Sequence, residues 1–127
     1  MYRTLFAALV AIATSVGHCA QPNQAAIAAA VADPSRPPSD SERDANRKPA
    51  QTLAFAGVKA GDKVADYGTG SGYFTRLFSN VVGDSGHVYA SVPRGLLKYP
   101  NIVKGLAEMQ SFAFAHANVS VTYAAPL

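Results

Sequence analysis

The stretch Lys63-Val-Ala-Asp-Tyr-Gly-Thr-Gly-Ser-Gly-Tyr-Phe-Thr75 decides how the rest of the chain is read. It passes from a short apolar segment, through glycines at positions 68, 70 and 72, into residues with helical spacing. Val64 and Ala65, flanked by Tyr67, predict a short strand buried on both faces. The glycines let backbone approach a bound molecule without Cβ clashes, and the helix after them turns its positive end toward the same place. A parallel α/β domain presents a ligand site at the carboxyl end of a strand in this way.

The spacing excludes two common nucleotide loops. The dinucleotide fingerprint needs a glycine three residues after its second one, and Tyr73 stands there. The P-loop needs Gly-Lys-Ser/Thr, which does not follow. Around the loop, Phe74, Leu77, Phe78 and Val81 predict a helix over 73–82 with that face in the core. His87 to Val92 predicts a second strand, with His87 a surface residue at its start. Pro100 is expected to limit any helix before Val103. A helix over 103–115 then carries Leu106, Met109, Phe112 and Phe114 inward, and 118–123 alternates as a third strand. The fold class is therefore α/β: the N-terminal half of a doubly wound, Rossmann-like parallel sheet with flanking helices.

VADYGTGSG, with its acidic residue two positions before the first glycine, resembles motif I of the class I S-adenosylmethionine-dependent methyltransferases. The lead-in GVKAGDKVADYGTGSGYFTRLF extends the resemblance over about 53–90. The loop GTGSGY is similar to that of protein-isoaspartate methyltransferases. The leader together with RDANRKPAQTLAFAGVKAGD resembles a group of exported bacterial methyltransferases. The resemblance implies S-adenosylmethionine as cofactor, bound by Asp66, Tyr67, Gly68, Thr69, Gly70 and Gly72. Asp66 would orient the loop and face the ligand's amino group, and the following helix would face its carboxylate.

The sequence departs from that family in two places. Methyltransferases of this class carry Asp or Glu at the end of the second strand to hold the ribose hydroxyls. Val92 stands there, beside Ser91. The resemblance also implies more strands than the chain supplies, with the adenine and acceptor contacts in the later ones. The chain therefore reads as a C-terminally truncated domain. Two functions stay open: a methyltransferase whose donor half is present and whose acceptor is unknown, or a non-catalytic exported protein with weak or no cofactor binding. Catalytic residues are not assigned. Protein carboxylate, small molecule and nucleic acid all stand as acceptors.

The remaining composition bounds the chain further. Its 127 residues allow one small domain, and the net charge of +3 is spread out rather than clustered. Arg43, Arg47 and Lys48 alternate with Glu42 and Asp44, the pattern of a solvated helix face rather than a nucleic-acid patch. No metal-ligand spacing or catalytic triad is legible. One cysteine, Cys19, rules out an intramolecular disulfide. Arg3, the apolar run Leu5–Val16 and the sequence around Gly17–Ala20 form a secretory leader over 1–20, too short to span a bilayer. Export to the periplasm or medium follows. Residues 21–38 read as a linker, because 24–32 is a weak alanine-rich helix at best and Pro34, Pro37 and Pro38 force extended backbone. The domain then occupies 39–127. Ser39 or Asp40 caps a helix starting near Ser41, which Pro49 interrupts, and Ala50–Ala56 follows up to Gly57.

Overall fold

The computed structural model describes residues 23–125, so the expected leader lies outside the described residues. The elements run α1 (Gln24–Val31), α2 (Pro38–Ser41), α3 (Asp44–Arg47), α4 (Pro49–Ala56), β1 (Lys63–Tyr67), α5 (Tyr73–Val82), β2 (His87–Pro93), a 3-10 turn (Arg94–Lys98), α6 (Pro100–Ala115) and β3 (Val119–Ala124). The strands form a parallel sheet in the order β1-β2-β3. Register pairs Val64 with Val88 and Asp66 with Ala90, then Val88 with Val119 and Ala90 with Val121. Strand-to-strand connections through α5 and α6 are the long crossovers that parallel pairing requires.

Burial is one-sided. Val88, Ala90 and Val92 are buried beside Val64 and Val119, and α5 packs on β1 and β2 over this face. Lys63, Ala65 and Tyr67 of β1 point the other way and are exposed, with Tyr89 beside them. The expectation that β1 is buried on both faces is thus corrected. A strand reads as doubly covered only when helices lie on both sides, and the described helices leave the second face bare.

Helix α5 carries the centre of the core. Leu77 and Val82 are fully buried and Val81 and Tyr73 nearly so, while Phe74 and Phe78 are only half-buried. Each fully buried aliphatic side chain here contributes about 1.5–3 kcal/mol. Leu53 of α4 is equally buried, and Gly57 ends that helix in the left-handed region at φ +66°.

Five local readings change. Gln24–Val31, read as part of a linker, is a helix that packs on α4 and α5 and buries Ile27 and Ala30. Its small alanines permit close approach, which no propensity scale registers. The helix expected from Ser41 is instead two separate turns, α2 and α3, and Asp40 is buried rather than capping. Pro100 occupies the first turn of α6 instead of delaying it, because a first-turn residue needs no N–H partner within the helix. Phe114 is 97% exposed, while Leu106 and Met109 are buried as their spacing predicts. Finally, His87 is half-buried, with Nε2 2.7 Å from the Ser120 hydroxyl.

Candidate functional site

The glycine loop leaves β1 at Tyr67, whose side chain stands on the bare face of the sheet. Gly68 donates its N–H to the Ser91 carbonyl at 2.8 Å, which ties the loop to the end of β2. Gly72 donates to the Thr69 carbonyl at 2.9 Å, closing a tight turn, and its own carbonyl accepts from Arg76 to start α5. Gly70 and Gly72 sit at φ +55° and +86°, where a side chain is strained.

The loop has a packed side and an open side. On the packed side, a Cβ on Gly72 would lie 2.7 Å from Met109 Sδ. Gly105 of α6 lies so close that its own Cβ would stand 3.1 Å from Ser71 N and 3.3 Å from Gly70 C. Helix α6 is therefore laid directly on the loop. On the open side, a Cβ at Gly68 or Gly70 would meet nothing within 4 Å. Thr69 is 8% exposed, and its hydroxyl has no hydrogen-bond partner among the described residues. A buried hydroxyl without a partner is costly, and a ligand group or ordered water would satisfy it.

Asp66 anchors the loop from below. Its Oδ2 accepts a hydrogen bond of 2.6 Å from Thr75 Oγ1, and Thr75 is fully buried in the first turn of α5. Burial raises the Asp66 pKa above the ordinary carboxylate value, and the Thr75 hydroxyl and N–H act in the opposite direction. The carboxylate thus joins β1 to the positive end of α5. The helix start is shared with this side chain before any ligand arrives.

All six expected donor-site residues lie in or beside this one turn. Backbone supplies most of what the turn can offer: N–H groups, small residues and a helix start. Val92 is 3% exposed and faces the core with Val88 and Ala90, so it adds no polar group at the end of β2. Ser91 contributes its carbonyl to the loop. Sequence reasoning missed Gly105, although a glycine within a helical pattern is a signal of close packing.

It also missed a charged cluster beside the loop. Asp40, 1% exposed, pairs with Arg43 at 2.6 Å and with Arg76 at 3.0 Å. Arg36 makes a forked contact with Asp44 at 2.7 and 2.9 Å, and the Tyr73 hydroxyl donates to Asp44 at 2.5 Å. The hydrogen bonds from Arg36 hold the Asp44 carboxyl below its ordinary value, with help from Tyr73. Burial, then the contact with Asp44, pushes the Tyr73 phenol up to about 12. These pairs seat α2 and α3 against the first turns of α5. Among the described residues, no group of three or more His, Cys, Asp or Glu side chains could hold a metal ion, and no helix is long and apolar enough to cross a membrane.

Comparison with known proteins places this arrangement. No curated protein sequence matches the chain. Among solved structures, a SAM dependent methyltransferase from Aquifex aeolicus is 30% identical, with a TM-score of 0.45. The match covers 58% of this chain and 36% of that one, so the chain spans little over a third of that protein's length. A family model described as protein-L-isoaspartate(D-aspartate) O-methyltransferase matches residues 40–109. That span is more than half of the chain and runs from the buried Asp40 through the glycine loop to Met109. The chain belongs to the protein-L-isoaspartate(D-aspartate) O-methyltransferase family.

Proposed function

We propose that the chain binds S-adenosylmethionine on the open side of the Gly68–Gly72 turn and serves methyl transfer from it. The observation that carries this reading is the turn itself: bare backbone at Gly68 and Gly70 beside a buried, unpartnered Thr69 hydroxyl. When bound, the sulfonium cofactor supplies an electrophilic methyl group. The chain's own residues then position it. Gly68 and Gly70 admit the ligand, Thr69 supplies a hydroxyl, and Asp66 holds the turn to α5. Methyl transfer needs chiefly a positioned acceptor and excluded water, so the lack of a legible triad does not argue against it. The family's description makes a protein carboxylate the first acceptor to test. We also propose export, from the leader-like residues 1–20. Chain found only in the cytosolic fraction, with an intact mass that still includes the leader, would contradict this.

Calorimetric titration with S-adenosylmethionine and S-adenosylhomocysteine tests the donor site. Binding should be lost in Gly70→Val while the far-ultraviolet circular dichroism is kept, because the new side chain enters space now open. A folded chain that gives no heat with either ligand at about millimolar concentration would sink the reading. Val92 favours a second reading, a domain of this family that holds no donor, since its burial leaves the end of β2 without a carboxylate. The same titration separates the two.

A further inference from the structure

A second cavity lies away from the open side of the loop. It has a volume of about 310 Å³ and is enclosed by the α1–α2 connection, by α5, and by the C-terminal half of α6. That size is the lower end of what small-molecule sites use. Its lining includes Ser35, Arg36, Arg76, Asn80, Phe112 and His116.

Two buried arginines line this space with donors to spare. Arg36 is 7% exposed; it gives Nη1 to the Val31 carbonyl and to Asp44, and Nη2 to Asp44. Its Nε is buried and has no partner among the described residues. Arg76, also 7% exposed, gives Nη1 to Asp40, and among the described residues no hydrogen bond uses its Nε or Nη2. The guanidinium stands over the Phe112 ring at 5.5 Å. Phe112 and His116 stack at 3.9 Å between ring centroids, which makes one wall flat and largely apolar.

Asp33 also lines the cavity, and its two carboxylate oxygens are engaged by the Ser35 N–H and the Asn80 amide. Of the charged side chains lining the cavity, Arg36 and Arg76 outnumber Asp33, and Asp44 and Asp40 pair with the two arginines. Guanidinium groups with free donors in a partly dry site suit planar oxyanions, which accept two parallel hydrogen bonds.

We propose that this cavity is a binding site for a small oxyanion carried on a short apolar body, held by Arg36 and Arg76 against the Phe112–His116 wall. The ligand's carboxylate or phosphate takes the unpaired arginine donors, and its body lies on the stacked rings. The site does not depend on the donor reading, since none of its lining residues belongs to the Gly68–Gly72 turn. It does adjoin that turn. Arg76 Nη1 lies 3.5 Å from the place a Gly72 Cβ would take, so a ligand on Arg76 sits one side chain from the loop.

The test is a titration of the full chain, labelled with nitrogen-15, with succinate and separately with inorganic phosphate. The Arg36 Nε–H signal and the backbone signals of Phe112 and His116 should shift saturably, at about millimolar affinity or tighter, with at least one of the two. The tighter of them identifies the oxyanion. Asn80→Asp places a second carboxylate at the rim from an exposed position, so it spares the core and should weaken binding by roughly tenfold. Arg76→Lys should weaken it as well, by removing the fork. Shifts that stay linear to about 10 mM with both anions would overturn the proposal, because millimolar sites saturate in that range. So would binding that Asn80→Asp leaves unchanged.

Discussion

Replacing Gly72 with alanine tests the packing that holds the loop to α6. Gly72 has φ +86°, and an added Cβ would meet Met109 Sδ at 2.7 Å and Cγ at 3.1 Å. The backbone strain costs about 1–2 kcal/mol, and the overpacking about 1–3 kcal/mol. Alanine restricts the unfolded chain more than glycine does, which offsets about 0.4–1 kcal/mol. The net loss should be about 2–4 kcal/mol, read as a lower urea midpoint at unchanged slope. The two causes separate in a Met109→Ala background, where both Sδ and Cγ are gone. There Gly72→Ala should lose only the strain, so the double-mutant cycle should show a coupling of about 1–2 kcal/mol. Gly70→Ala is the control, since nothing lies within 4 Å of its Cβ and only strain applies. A loss at Gly72 equal to that at Gly70, or a loss that Met109→Ala does not relieve, would refute the argument that α6 clamps the loop.

Two further outcomes follow from the charged cluster. Asp40→Asn leaves Arg43 and the buried Arg76 without their carboxylate, and removing one partner of a buried pair costs about 3–5 kcal/mol, which urea unfolding would read. A loss below about 1 kcal/mol would show the cluster to be solvated. Tyr73 and Asp44 set the two ends of the pH range. Tyr73 ionises near 12 when folded and near 10 when unfolded. Its stabilising effect is therefore full below pH 10 and lost as pH rises through about 12. Asp44 is shifted down from 3.8, so its effect is full above that value and lost as pH falls through the lower folded one. The phenolate absorbance step near pH 12 should vanish in Tyr73→Phe. Its persistence, or ionisation of Tyr73 near its ordinary value of 10, would contradict the buried contact with Asp44.

The sequence by itself determined what depends on neighbours along the chain. The strand, glycine turn and helix over 63–82 were legible because the apolar spacing, the missing Cβ atoms and the helix start all lie within a few residues of one another. Pro49 and Gly57 bounded α4 for equally local reasons. The strand and glycine signals likewise placed Asp66 and Tyr67 at the end of β1 and Gly68, Thr69, Gly70 and Gly72 in the turn after it. Tertiary structure decided everything that needed a distant partner. Asp40 is buried because Arg76, 36 residues later, meets it. An alanine-rich helix holds its place because α4 and α5 receive Ile27 and Ala30. Phe114, at a helical spacing that a core would accept, faces solvent because no described element comes to cover it. The open side of the loop is likewise a tertiary fact. Gly105 and Met109 close one side of the turn, and Gly68 and Gly70 stay open on the other.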